Sequence, residues 1–242
     1  TGDNNVAIGY AALDLEDTGT DSVAIGYNAL TAQNNDAANH NVAVGSSAGA
    51  AITTGTENTL LGGLAGTALT TGIRSVLLGY QAGDALTEGQ ENIAVGKSAL
   101  SADTLGSRAT AIGKSALSSQ NFTTATQNYN VAVGYEAGKA VTTGTQNTLV
   151  GGLAGDALTD ADYNVAIGYS ALSADTLGSR SVAVGRTALA AQNFTTATAA
   201  YNTAVGYSAG ESVTTGIDNT LVGANAGDAL TVGNNNVALG RS

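Results

Sequence analysis

The sequence predicts an all-β fold, a parallel β-solenoid of 14 coils. Three observations carry that expectation: a short motif recurs at a nearly constant interval, each copy closes an apolar run with glycine, and no stretch shows helical periodicity. Aligned on that glycine, the copies fall at Gly9, Gly26, Gly45, Gly62, Gly79, Gly96, Gly113, Gly134, Gly151, Gly168, Gly185, Gly206, Gly223 and Gly240. Ten of the thirteen steps are 17 residues; one is 19 and two are 21. Seventeen residues suit one coil of strand and turns, and the coils fill residues 1–242 as a single repeat domain.

Each strand is expected to be the three residues before the glycine. The last of them is always aliphatic, from Ile8 and Ile25 to Leu239, and reads as the buried spine. Two residues earlier, on the same face, stand Val, Ile or Thr. The residue between them points the opposite way and is never polar: Ala7, Ala24, Ala43, Leu60, Leu77, Ala94, Ala111, Ala132, Leu149, Ala166, Ala183, Ala204, Leu221 and Ala238. A lone solenoid would leave that second face in water as an apolar stripe, so this column is the expected oligomer interface, most economically in a homotrimer; the alternative is a flattened solenoid in which a second wall of the same coil covers the stripe.

Four residues before the glycine is Asn in ten copies, among them Asn41, Asn58, Asn147 and Asn164, which predicts a structural ladder that fixes register. Three residues after the glycine is Ala, and the next residue is Leu or Gly, which defines two coil types. They combine into a super-repeat of 72 residues that returns Asp84 at Asp156 and Asp228, Arg108 at Arg180, and Phe122 at Phe194. The 21-residue coils insert a loop at one corner, so Asn121, Phe122, Tyr129, Asn193, Phe194 and Tyr201 are candidate receptor contacts, with a shorter bulge from Ala32 to His40. Aromatics beside Asn, Gln and Thr suit a sugar ring; the alternative is that each Phe tucks back to staple its own loop or a neighbouring subunit. Tyr10, Tyr27, Tyr80, Tyr135, Tyr169 and Tyr207 share a column with Lys97, Lys114, Arg186 and Arg241, so that column must reach water.

Composition narrows the function. With no Cys and only His40, disulfides, thiolate nucleophiles and His/Cys metal sets are excluded, and neither cofactor nor metal is expected. Asp84, Asp156 and Asp228 recur with the repeat and read as turn residues rather than paired catalytic carboxylates. A net charge of −11 repels nucleic acid and anionic membrane surfaces, and no apolar run approaches a membrane span. The lack of an initiating Met and of atypical capping repeats suggests a portion of something longer.

Runs such as Asn5-Val6-Ala7-Ile8-Gly9-Tyr10 and Tyr163-Asn164-Val165-Ala166-Ile167-Gly168-Tyr169 resemble the repeats of trimeric β-roll segments in phage tail-fibre-like proteins, related to the heads of trimeric autotransporter adhesins. The resemblance covers the whole chain. It implies a left-handed parallel β-roll, three chains around one axis, displayed outside a cell or on a virion. The expected function is therefore a non-enzymatic structural or adhesive fibre segment whose partners are itself and a cell-surface glycan or protein receptor. The alternatives are a self-assembling extracellular filament subunit and an ice-binding solenoid, the latter disfavoured because Glu88, Asp160 and Val232 interrupt the Thr pairs.

Overall fold

The computed structural model describes residues 2–241. It is an all-β parallel solenoid of about 14 turns, without helix among the described residues. The residues pack as two compact units: one holds the chain up to Ser115 with Asn121–Asn128, the other Ala116–Gln120 with everything from Tyr129 on.

The first unit contains β1 (Val6–Ile8), β2 (Val23–Ile25), β3 (Val42–Val44), β4 (Thr59–Leu61), β5 (Val76–Leu78), β6 (Ile93–Val95), β7 (Gly106–Ser107), β8 (Thr110–Ile112) and β9 (Thr126–Gln127). The second contains β10 (Val131–Val133), β11 (Thr148–Val150), β12 (Val165–Ile167), β13 (Gly178–Ser179), β14 (Val182–Val184), β15 (Thr198–Ala199), β16 (Thr203–Val205), β17 (Thr220–Val222) and β18 (Val237–Leu239). Within each unit the three-residue strands stack in chain order, and the two-residue strands pair as β7 with β9 in the first and β13 with β15 in the second. Register follows the motif residue for residue, so β12 meets β14 with Val165 on Val182, Ala166 on Ala183 and Ile167 on Val184.

The strand faces are the reverse of the sequence expectation. Ala24, Ala43, Leu60, Leu77, Ala94, Ala111, Ala132, Leu149, Ala166, Ala183, Ala204 and Leu221 are buried inside their own chain, and only Ala7 and Ala238, on the outermost strands, keep access to water. The flanking aliphatic columns, read as interior spine, face outward: Ile8 is 58 %, Leu61 48 % and Ile167 38 % exposed. The reason is size. A 17-residue coil encloses a narrow space, and what fits between its walls is Ala or a single Leu, not two β-branched residues per strand.

The two coil types fill that space reciprocally. Where Gly stands four residues after the motif glycine, an aliphatic residue three further on turns inward, as Leu86 does after Gly83; a Cβ on Gly83 (φ +55°) would lie 2.9 Å from the Cδ1 of Leu86. Where Leu stands there, as in Leu100 and Leu172, the later position is polar, Asp103 and Asp175, yet still fully buried. Asp175 Oδ1 accepts the Gly178 and Phe194 amides, each at 3.0 Å, and its Oδ2 accepts Gln192 Nε2 at 2.5 Å. Gln192 in turn accepts from Asn202 Nδ2 at 2.8 Å. A buried carboxylate is tolerated because its lone pairs are answered.

The Asn ladder is as structural as expected, and it is internal. Asn147 Nδ2 donates to the Ala161 carbonyl at 2.7 Å, while its Oδ1 accepts the backbone amide of Asn164, one coil on, at 3.0 Å. Asn41, Asn58, Asn92, Asn130, Asn164, Asn202 and Asn219 repeat both contacts. The motif glycine permits the turn that follows: Gly79 has φ +135°, and a Cβ there would lie 2.6 Å from the Gly96 carbonyl oxygen.

Asn147→Ala leaves a buried carbonyl and a buried amide unanswered and is expected to cost about 3 kcal/mol in denaturant-unfolding free energy. Gly79→Ala, which combines strain with a clash, is expected to cost at least as much. A loss below about 1 kcal/mol for Asn147→Ala would mean that water or relaxation replaces the ladder.

Candidate functional site

Two surfaces stand out. The first is the outward strand face. In the first unit Val6, Ile8, Val42, Leu61, Ile93 and Ile112 are exposed, and in the second Ile167, Val205, Val237 and Leu239. Alternation along three residues makes this inevitable, since an inward Ala or Leu sends both neighbours out. The adjoining tyrosine column is exposed as expected. Tyr10 and Tyr27 stack at 5.5 Å, and Arg186 lies 5.5 Å over the ring of Tyr207, so these four members of the strip pair with one another.

The second surface is the insertion corner. Phe122 and Phe194 are each only 6 % exposed, which removes both rings as receptor contacts. Each is stapled through its backbone as well: the Phe122 amide donates to Asp103 Oδ1 at 3.0 Å, and its carbonyl accepts the Leu105 amide at 3.0 Å and the Thr104 hydroxyl at 2.9 Å. Asn121, Tyr129, Asn193 and Tyr201 are exposed.

Beside this corner runs a column missed in the sequence, five residues before the motif glycine. It holds non-glycine residues at positive φ, including Glu57, Arg74, Glu91, Arg108, Tyr129, Tyr163, Arg180 and Tyr201. Its charge alternation was the available signal. In the first unit Arg74 bridges Glu57 at 3.0 Å and Glu91 at 3.6 Å, and Arg108 meets Glu91 at 2.8 Å. The Arg108 guanidinium, and then Arg74, hold the Glu91 carboxyl below its ordinary range. In the second unit the same column becomes aromatic, with Arg180 lying 5.1 Å from the Tyr163 ring and 5.9 Å from Tyr201.

Gln90, Glu91, Ser107, Arg108, Ala125, Thr126 and Gln127 line a cleft of about 200 Å³. Arg108 Nη1 also donates to Gln127 Oε1 at 2.5 Å, and the Gln90 amide to Ser107 Oγ at 3.0 Å. The cleft is smaller than a usual small-molecule pocket and its polar groups answer one another, so it suits a surface contact better than enclosure of a ligand. Among the described residues no three His, Cys, Asp or Glu side chains converge as metal ligands, and no helix is long and apolar enough to cross a membrane.

The recurring aspartates are not simply solvated. Asp84 and Asp156 are half-buried, each with an Oδ1 that meets no donor. Burial raises the pKa of both above the ordinary 3.8, with each residue's own backbone amide partly offsetting it, then Gln81 at Asp84, while the Glu136 charge adds to it at Asp156. The native state therefore holds these protons more tightly than the unfolded chain. That contribution is complete below pH 3.8 and is lost as pH rises through the native values. The Asp84→Asn/Asp156→Asn double variant is expected to melt on the order of a degree or two above the parent at pH 7 and level with it near pH 3; equal midpoints at pH 7 would contradict this. Compared with protein-family models, curated proteins and solved structures, the chain matches none.

Proposed function

We propose that the chain is a segment of an extracellular structural or adhesive fibre, on a cell or a virion, in which three copies bury their outward strand faces against one another. The observation that carries this reading is that the two flanking residues of the three-residue strands, aliphatic or Thr, are exposed or half-buried on strand after strand and never buried. Seven stacked strands at roughly 4.8 Å apart and three residues at roughly 3.3 Å each give one unit on the order of 350 Å² of such face. One such face is somewhat under half of the roughly 800 Å² that a partner contributes to a stable interface. A second copy is the fitting cover because the face is periodic, and only a surface of the same period matches it knob for hole along its length. Symmetry then makes the assembly closed and cyclic, and the trimer follows the resemblance to trimeric β-rolls.

The insertion loops, with Asn121, Thr123, Asn193 and Thr195 exposed, are the surface left for display. A glycan or protein receptor would meet Tyr129 or Tyr201 and the charged column there, not the two Phe rings. The threonine column gives no support to ice binding: Thr70 and Thr87 each donate the hydroxyl to a carbonyl of the next coil at 3.1 Å, and Thr159 does so at 3.0 Å.

Light scattering tests the assembly. The parent is expected at three times its 23.6 kDa chain mass. Ile167→Glu with Val184→Glu is expected to yield a folded monomer, whereas Ala166→Glu, aimed into the chain's own interior, is expected to unfold it. A parent that stays monomeric at high concentration contradicts the reading.

A further inference from the structure

We propose that Asn121 and Asn193 are acceptor sites for N-linked glycosylation, so that the insertion corner carries sugar. The chain has 21 Asn, and only these two begin an Asn-X-Thr or Asn-X-Ser triplet, as Asn121-Phe122-Thr123 and Asn193-Phe194-Thr195. The fold itself excludes the ladder Asn, since two residues after each stands the Ala or Leu that fills the coil.

The geometry presents both triplets in the same way. The central Phe is buried and bonded through its amide and carbonyl, which sends the residue on either side outward. Asn121 and Thr123 are exposed, as are Asn193 and Thr195. Asn121 Oδ1 accepts the Thr104 hydroxyl at 3.1 Å, and Asn193 Oδ1 accepts that of Thr176 at 3.2 Å. The oxygen is thus oriented on an exposed residue whose Nδ2 is the atom that reacts. The six residues Asn-Phe-Thr-Thr-Ala-Thr are identical in the two loops, although Gln127 and Asn128 directly after the first become Ala199 and Ala200 after the second.

The transfer balances with one co-substrate, a nucleotide- or lipid-linked glycosyl diphosphate delivered by a transferase of the producing cell. The anomeric carbon forms its bond to Nδ2, the bond from that carbon to the diphosphate oxygen breaks with its electron pair going to the diphosphate, and the amide gives up one proton. The shorter bulge supplies an internal control: Asn34 is exposed and follows a buried Gln33, as Asn193 follows the buried Gln192, but two residues on stands Asp36 instead of Thr.

This inference rests on the extracellular reading only in requiring that the chain meet a transferase, and scattering mass and glycan mapping fail independently. The test is to secrete the full chain from a eukaryotic cell line, release N-glycans with peptide N-glycosidase in heavy-oxygen water, and map the peptides by mass spectrometry. Asn121 and Asn193 are expected to convert to labelled Asp in most molecules, with Asn34 and Asn147 unlabelled. Thr123→Ala should remove only the first site and Thr195→Ala only the second, with circular dichroism unchanged, while Thr123→Ser keeps the first. Folded, secreted protein with Asn121 and Asn193 unmodified would overturn the proposal.

Discussion

The fold depends on one repeated contact: a buried Asn amide that reaches across its own coil with Nδ2 and up to the next coil with Oδ1. Strands of three residues are too short to set their own register, and a coil of mostly Ala has little apolar mass for doing so by packing. An amide that needs a carbonyl 14 residues on and an amide 17 residues on, as Asn58 does with Gly72 and Ser75, defines both the closure of the coil and its stacking. Burial makes the requirement strict, because a slipped coil would strand two backbone groups and the side chain together. Where Ser75 or Ser181 replaces Asn, the Oδ1 of the coil before still holds the backbone amide at 3.0 and 2.9 Å, so the ladder survives a missing rung.

Around that contact the interior is balanced position against position. Gly83 makes room for Leu86, and Leu172 takes the space that Asp175 gives up. The second arrangement introduces buried acid and amide groups, and these are what close the long coils: Asp175 holds the amide of Phe194 while Gln192 links it to the Asn ladder. The insertion loops are therefore not loosely attached. Their bases are bonded into the core, and their tips, with Thr195, Thr196 and Ala197 exposed, lie outside it.

Much of this was legible in the sequence, because period, strand position and turn glycine are all written in the spacing of a single motif. The structural role of Asn was legible too, since an amide recurring at one motif position, beside a strand, stacks into a ladder once the coils stack. The orientation of the strand was not. Period-two alternation states that Ile167 and Ala166 face opposite ways without saying which is inside, and the larger side chain was the wrong guide for so narrow a coil. Two signals pointed the other way: Thr59, Thr110, Thr148, Thr203 and Thr220 sit in the flanking column, whereas the middle column admits Ala and Leu alone. Phe122 was legible only as a choice, since an aromatic in a loop can make a contact or staple the loop, and the buried Asp103 holding its backbone selects the staple. In the proposed assembly the outward aliphatic face takes over the role expected of the alanines.

Residue-resolved amide hydrogen exchange of the folded chain is the most direct test of the Asn contact. The amides of Ser75, Asn164, Ser181 and Asn219, each donated to an Asn Oδ1 one coil away, are expected to exchange only through global unfolding, as slowly as those of the strand centres Leu77 and Ala166. Exchange at those four amides as fast as in the exposed loop residues Thr123 to Ala125 would contradict the account, because the coils would then be held in register by something other than the ladder.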